Sequence, residues 1–256
     1  MNLKKYDEED FYVYKYSLKI KKNQTPETIA SFLKIWLGFG IGSIVYMIAV
    51  LNHGYGELIA WIVLGWTIVS IPLSLAFSIK KIYQRFQVFQ SVMFAQALFL
   101  WGISWMIICK NILISGNEVT PLSDTGFTPY FLFYNIFAYS CILITLFGSY
   151  LYFRNCLENG IFRKENVDAK IKKSKAKYIA PGLITVISGG VILSVSKIDY
   201  SVGKNIIFSS LGMLLSLLFV FASPGPMIVA YCKKRFPDFI IDYSKEETEI
   251  SKKRDE

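Results

Sequence analysis

The stretch RNCLENGIFRKENVDAKIKKSKAK, residues 154–177, decides how the rest of the chain is arranged. It carries eight of the chain's 28 Lys and Arg residues and lies between two long apolar runs. A segment with this charge stays out of the hydrocarbon core, and loops rich in Lys and Arg are retained on the cytoplasmic side of a membrane. This stretch, called the basic loop below, therefore predicts the orientation of the apolar runs on either side.

The composition indicates a polytopic membrane protein. Hydrophobic residues make up 53% of the 256 residues, 18% are charged, and the mean hydropathy is +0.40. Soluble domains carry about 25% charged residues. Because a helix of about 20 apolar residues spans the hydrocarbon core, several of the apolar runs are long enough to cross a bilayer.

The apolar runs predict an all-α integral membrane protein, a six-transmembrane-helix bundle with spans at about residues 29–51, 57–79, 90–113, 129–153, 178–196 and 206–231. Of the 28 basic residues, 24 fall on one side of this arrangement and two fall on the other. This asymmetry predicts that both termini are cytoplasmic. Three parts follow: an N-terminal segment (1–24), the membrane domain (25–231) and a charged tail (232–256).

The N-terminal segment contains FYVYKYSLKI at residues 11–20, which is rich in aromatic and β-branched residues and alternates in part. This pattern is typical of a β-strand. It is also found in aromatic and basic segments that lie on a membrane surface. We expect a short cytoplasmic segment with strand-like character, and both interpretations stay open.

Lys110 is the sharpest charged candidate, because an ionisable residue inside a membrane span is costly to bury. It lies about one helical turn from the predicted outer end of the third span. One interpretation is that its side chain extends to the membrane surface. The other is a polar pocket formed by Lys110, Asn111 and Asn135, with Glu57 as a counter-ion.

The tetrapeptide Ser223-Pro224-Gly225-Pro226 interrupts the sixth span. Two prolines remove two helix N–H groups, so a continuous helix is disfavoured here. Transporters use such breaks to present backbone groups to a substrate or ion. The simpler interpretation is that one helix ends near residue 222 and a short interfacial helix begins near residue 226.

Gly38 and Gly42 have the GxxxG spacing that lets a neighbouring helix approach closely. The spacing serves packing within the chain or dimerisation, and the oligomeric state stays open between them. A second candidate contact is the lysine cluster of the basic loop, which suits anionic lipid or an acidic protein partner. Its members are Lys170, Lys172, Lys173, Lys175 and Lys177.

The residue inventory predicts a protein that is not an enzyme. His53 is the only histidine, which excludes a cluster of histidine metal ligands. The P-loop pattern GxxxxGK[ST] does not occur, and no predicted span holds two carboxylates for acid–base catalysis. We therefore expect no catalytic site, no metal and no cofactor. The formal charge of +9 is attributed to topology and anionic lipid, with no nucleic acid as a partner.

These observations lead to two functional hypotheses for a multi-pass protein of a bacterial cytoplasmic membrane. The first is a non-catalytic component that works through a protein partner: a permease-like or export-system subunit, or an immunity or accessory protein. The alternative is a small autonomous transporter or channel with a broken sixth helix. A bacterial origin is suggested by the abundance of Lys, Ile and Asn, which is typical of AT-rich genomes.

Overall fold

The computed structural model describes residues 3–19, 24–52, 58–116, 122–123, 126–127, 129–173 and 202–243. The α-helices of these ranges are α1 (Tyr12–Lys19), α2 (Pro26–Asn52), α3 (Leu58–Phe77), α4 (Lys80–Arg85), α5 (Gln87–Gly116), α6 (Pro129–Glu158), α7 (Lys164–Lys173), α8 (Val202–Ala222) and α9 (Pro224–Arg235). Short 3-10 helices cover Leu3–Lys5, Glu8–Phe11 and Pro237–Phe239. Two strands of two residues each, Leu122–Ser123 and Gly126–Phe127, pair antiparallel.

Among the described residues, five helical stretches are long and apolar enough to cross a membrane. They are Pro26–Ala49, Leu58–Phe77, Gln87–Ile112, Leu132–Glu158 and Ile207–Arg235, the last of which runs through α8 and α9. The multi-pass, all-α membrane class is therefore confirmed. The predicted span at 178–196 lies outside the described residues, so the number six stays a prediction, as does the orientation of the termini.

Helix α5 is the centre of the bundle. It contacts α2, α3, α6, α8 and α9, and more of it is buried than of any other candidate span. Aromatic rings fill the space around its midpoint: the Trp101 ring stacks on Phe219 of α8 at 4.7 Å and on Phe39 of α2 at 4.9 Å between centroids. Near the same level, the Trp36 indole N–H donates to the Ser70 hydroxyl at 3.3 Å and joins α2 to α3.

Helices α5 and α8 approach each other closely at two glycines. A Cβ added to Gly102 would lie 2.9 Å from the backbone oxygen of Ser216 and 2.6 Å from a Val220 methyl group. The Ser216 hydroxyl donates to the Gly102 carbonyl at 2.6 Å. Further along the same pair of helices, a Cβ added to Gly212 of α8 would lie 2.1 Å from the sulfur of Cys109 in α5. Because only glycine leaves room for these contacts, Gly102 and Gly212 determine how close the two helices come.

Gly38 and Gly42 do not make such a contact within the described chain. Both are exposed on α2, and no described atom lies within 4 Å of a Cβ built at either position. Gly40, between them, faces inward towards Ile71. Packing of the GxxxG spacing against another described helix is therefore not found, and contact with a second copy stays a prediction.

The strand expected in the N-terminal segment is wrong, because residues 12–19 form helix α1. The buried residues Phe11, Tyr14 and Leu18 recur at intervals of three and four, which is the helical period. They pack against Phe162 and Phe239 in one hydrophobic cluster. The sequence pattern is compatible with the two-residue period of a strand and with the period of a helix. The contacts of this segment with Phe162 and Phe239 favour the helix.

The two sets of glycines can be compared by substitution. We expect Gly102→Ala to lower the free energy of unfolding by about 1–3 kcal/mol, because the new methyl group meets the backbone of α8. Gly38→Ala is the matched control and should change it by no more than about 0.5 kcal/mol. Thermal unfolding of the purified protein in micelles measures both, and equal midpoints would contradict the proposed role of Gly102.

Candidate functional site

The structure brings Lys110 and Asn135 together. Lys110 lies in the last turns of the α5 span and Asn135 in the second turn of α6, so the antiparallel course of the two helices places them at the same end. The Lys110 ammonium donates a hydrogen bond to the Asn135 side-chain oxygen. It also lies 5.6 Å from the ring centroid of Tyr139, one helical turn after Asn135. An amide oxygen and an aromatic face both stabilise a cation in surroundings that exclude water.

Lys110 is only 1% exposed, so its side chain is held within the protein. Asn111 is also buried, and its side-chain oxygen accepts no hydrogen bond from the described residues. Glu57, the expected counter-ion, lies outside the described residues. Of the predicted pocket, the described residues therefore show the direct contact of Lys110 with Asn135 and a neighbouring buried amide.

A second buried lysine, Lys233, was assigned from the sequence to the charged tail. It is 1% exposed and lies near the end of α9, with its side chain against the first turns of α5. Its ammonium donates to the Ser91 hydroxyl at 3.0 Å and to the Gln87 carbonyl at 3.5 Å. The available signal was its spacing of four residues from Val229, which places both on one helical face if the helix continues beyond the prolines.

The Ser-Pro-Gly-Pro segment is a short junction between α8 and α9. Helix α8 ends at Ala222 and α9 begins at Pro224, while Ser223 keeps helical dihedral angles. Two carbonyl groups at the junction accept side-chain hydrogen bonds: Val220 from the Ser223 hydroxyl and Phe221 from the Ser149 hydroxyl of α6, both at 2.8 Å. Gly225 and Pro226 are buried within the first turn of α9.

One end of the bundle carries a folded structure built from distant parts of the chain. We call it the terminal cap: residues 3–19, 156–168 and 228–239. The hydrophobic core of the terminal cap consists of Tyr6, Phe11, Tyr14, Leu18, Cys156, Leu157, Phe162, Ile228, Val229, Cys232 and Phe239. Burial of Tyr14 in this core raises the pKa of its hydroxyl group. Because α4 and the first half of the basic loop lie at this end, we call it the basic end.

Polar contacts hold the three parts of the terminal cap together. The Arg163 guanidinium donates to the buried Asp10 carboxylate at 2.6 Å, and the Val13 N–H donates to the Phe162 carbonyl at 3.0 Å. Arg235 donates to the Leu3 carbonyl at 3.0 Å. These contacts join the N-terminal segment to the loop between α6 and α7 and to the end of α9.

Lys15 connects α1 to the C-terminal part of the terminal cap. Its ammonium donates to the Asp238 carboxylate at 2.8 Å and also to that of Glu8. The hydrogen bonds to Asp238 and then Glu8 raise the pKa of Lys15 above its ordinary value of 10.5. The stabilisation is therefore complete below that value and is lost as the pH rises through the folded-state pKa.

A C-terminal strap, residues 236–243, begins in the terminal cap, with which it shares residues 236–239, and is bonded to the bundle. The Gln87 side-chain amide donates to the Ile241 carbonyl at 2.7 Å, and the Ile241 N–H donates back to the Gln87 side-chain oxygen at 3.1 Å. The Tyr243 hydroxyl donates to the Glu27 carboxylate at 2.5 Å. Helices α2 and α5, which are far apart in sequence, thus both bind the C-terminal strap.

The predicted lysine cluster is only partly described. Lys170, Lys172 and Lys173 belong to helix α7, of which the structure describes the backbone but not these three side chains. Lys175 and Lys177 lie outside the described residues altogether. The contact of this cluster with lipid or a partner stays a prediction.

Comparisons with protein-family models, curated proteins and solved structures gave no match to the chain.

The Lys110–Asn135 contact can be tested by a double-mutant cycle. We expect Asn135→Leu to lower the free energy of unfolding by about 1.5–3 kcal/mol, because it removes an acceptor from a buried cation. Lys110→Met should cost less, since the charge is removed together with its burial. In the double variant the effect of Asn135→Leu should largely disappear. Unfolding in micelles measures all four proteins, and additive effects would contradict a direct contact.

Proposed function

We propose that the protein is a non-catalytic component of a bacterial cytoplasmic membrane that works by binding a protein partner through the terminal cap. Permease-like subunits, export-system subunits, and immunity or accessory proteins belong to this class. In this proposal the basic end faces the cytoplasm, in keeping with its Lys and Arg content. The residue inventory, with one histidine and no P-loop, supports a role without catalysis.

The observation that carries this proposal is the construction of the terminal cap. Helices that only cross a bilayer need short connections, whereas this chain folds its N-terminal segment, the start of the basic loop and α9 around a separate hydrophobic core. The internal ion pairs Asp10–Arg163 and Lys15–Asp238 hold that surface in one arrangement. A preformed surface loses little conformational entropy on association, which favours binding of a partner.

The second candidate is an autonomous transporter or channel, supported by the buried Lys110–Asn135 contact inside a span. The junction at Ser223 gives this alternative less support than the sequence suggested. The Val220 and Phe221 carbonyls accept hydrogen bonds from serine hydroxyls of the chain itself, so a transported ion or substrate would have to compete with those contacts.

The partner can be sought by crosslinking the tagged full-length chain in its native membrane, followed by purification and mass spectrometry. We expect one stoichiometric protein partner. Its recovery should fall at least about tenfold in a Lys164→Glu/Lys234→Glu variant, because both lysines are exposed at the terminal cap and charge reversal opposes an acidic partner.

Lys80→Glu is the control, since this exposed lysine is at the same end but outside the terminal cap. Recovery of the chain alone, or equal loss of the partner in the control, would contradict the proposal. Transport assays on Lys110→Met in reconstituted vesicles would then decide on the second candidate.

A further inference from the structure

A cleft of about 550 Å³ opens at the basic end between α4 and the C-terminal strap. One wall carries Lys81, Gln84 and Arg85, and the other is formed by residues 240–243. The two walls are held in place by the reciprocal hydrogen bonds between Gln87 and Ile241, at 2.7 and 3.1 Å. The cleft is therefore a feature of the folded chain, with a second wall provided by a segment more than 150 residues away in sequence.

The cleft lies where two candidate spans end. Helix α4 is part of the short connection between Leu58–Phe77 and Gln87–Ile112, so its side chains are at the level where apolar helix surface gives way to polar residues. Two aromatic side chains on the adjoining turn are strongly exposed, Phe86 at 42% and Phe89 at 60%. In a bilayer this is the depth of lipid headgroups, with acyl chains beginning beside the exposed rings.

The charges of the cleft suit a small anion. Lys81 and Arg85 are four residues apart on α4, so both point from one helical face, and both are exposed. The Arg85 guanidinium lies 5.5 Å from the centroid of the Phe86 ring, which limits the directions it can take. Arginine presents a planar set of donors that matches phosphate, and lysine adds a point charge.

Asp242 also lines the cleft and adds an acidic residue to the two basic ones. Among the described lining residues, two basic groups and one acidic group favour a ligand with a single negative charge over a polyanion. A phosphodiester in a lipid headgroup has that charge, whereas a free phosphate monoester carries up to two. The exposed Phe86 and Phe89 rings add apolar contact that only a lipid would use.

We propose that this cleft binds the phosphodiester of an anionic phospholipid headgroup, with Lys81 and Arg85 as the phosphate ligands and Phe86 and Phe89 beside the acyl chains. The Gln84 side-chain amide lines the same wall and supplies a neutral donor. This site is separate from the lysine cluster of the basic loop. It also does not depend on the terminal cap having a protein partner.

The test uses the purified full-length chain in micelles, with lipid retention measured by native mass spectrometry and thermal midpoints measured in parallel. Phosphatidylglycerol is expected to be retained and to raise the midpoint, while phosphatidylcholine is not. Lys81→Gln/Arg85→Gln should weaken phosphatidylglycerol binding at least about tenfold, since basic residues near a membrane surface each contribute to attraction of anionic lipid. Lys164→Gln/Lys234→Gln removes the same charge from exposed positions outside the cleft and should leave binding unchanged.

Three results would overturn the proposal. Equal loss of binding in both double variants would mean that total charge, and not the cleft, attracts the lipid. An equal midpoint shift with glycerol phosphate or inorganic phosphate would assign the site to a soluble anion. Should Lys81→Gln/Arg85→Gln fail to fold, the single variants Lys81→Gln and Arg85→Gln replace it. Each should weaken phosphatidylglycerol binding, because each removes one of the two phosphate ligands, and an unchanged affinity in both would reject the site.

Discussion

Gly102 lets the backbone of α5 come so close to that of α8 that the Ser216 hydroxyl reaches the Gly102 carbonyl at 2.6 Å. Inside a bilayer apolar surface gives little drive for one helix to choose another, so close packing and hydrogen bonds between helices decide the arrangement. With α8 fixed against it, α5 becomes the helix that the other described spans contact. The aromatic stack of Phe39, Trp101 and Phe219 then fills the space that these contacts leave.

Hydrogen bonds from α5 also organise the basic end. The buried Gln90 side chain donates to the carbonyls of Pro26 and Phe77, at 2.7 and 3.3 Å, and so joins α5 to the start of α2 and the end of α3. One turn earlier, Gln87 holds the C-terminal strap. Lys233 of α9 donates to the same turn. The cleft beside α4 and the terminal cap are therefore both supported by polar side chains from the first turns of one helix.

Properties that depend on local sequence were predictable, and those that depend on distant partners were not. Span positions follow from length and apolarity, whereas the contact of Lys110 with Asn135 was only one of two open interpretations of a charged residue near a span end. The GxxxG spacing of Gly38 did not reveal which helix face is covered, whereas Gly102 and Gly212 carry no such spacing and lie at close contacts between α5 and α8. Lys233 was missed because two prolines indicated a helix end, although α9 resumes after one residue.

The C-terminal strap also has a consequence for the order of events during synthesis. Gln87 and Ile241 are 154 residues apart, and Lys15 and Asp238 are 223 residues apart. A ribosome adds about 5–20 residues per second, so α1 and the start of α5 leave it many seconds before the segment that covers them. During that interval Phe11 and Tyr14 have only part of their final surroundings. The nascent chain therefore has an open basic end that closes only after α9 and the C-terminal strap have been translated.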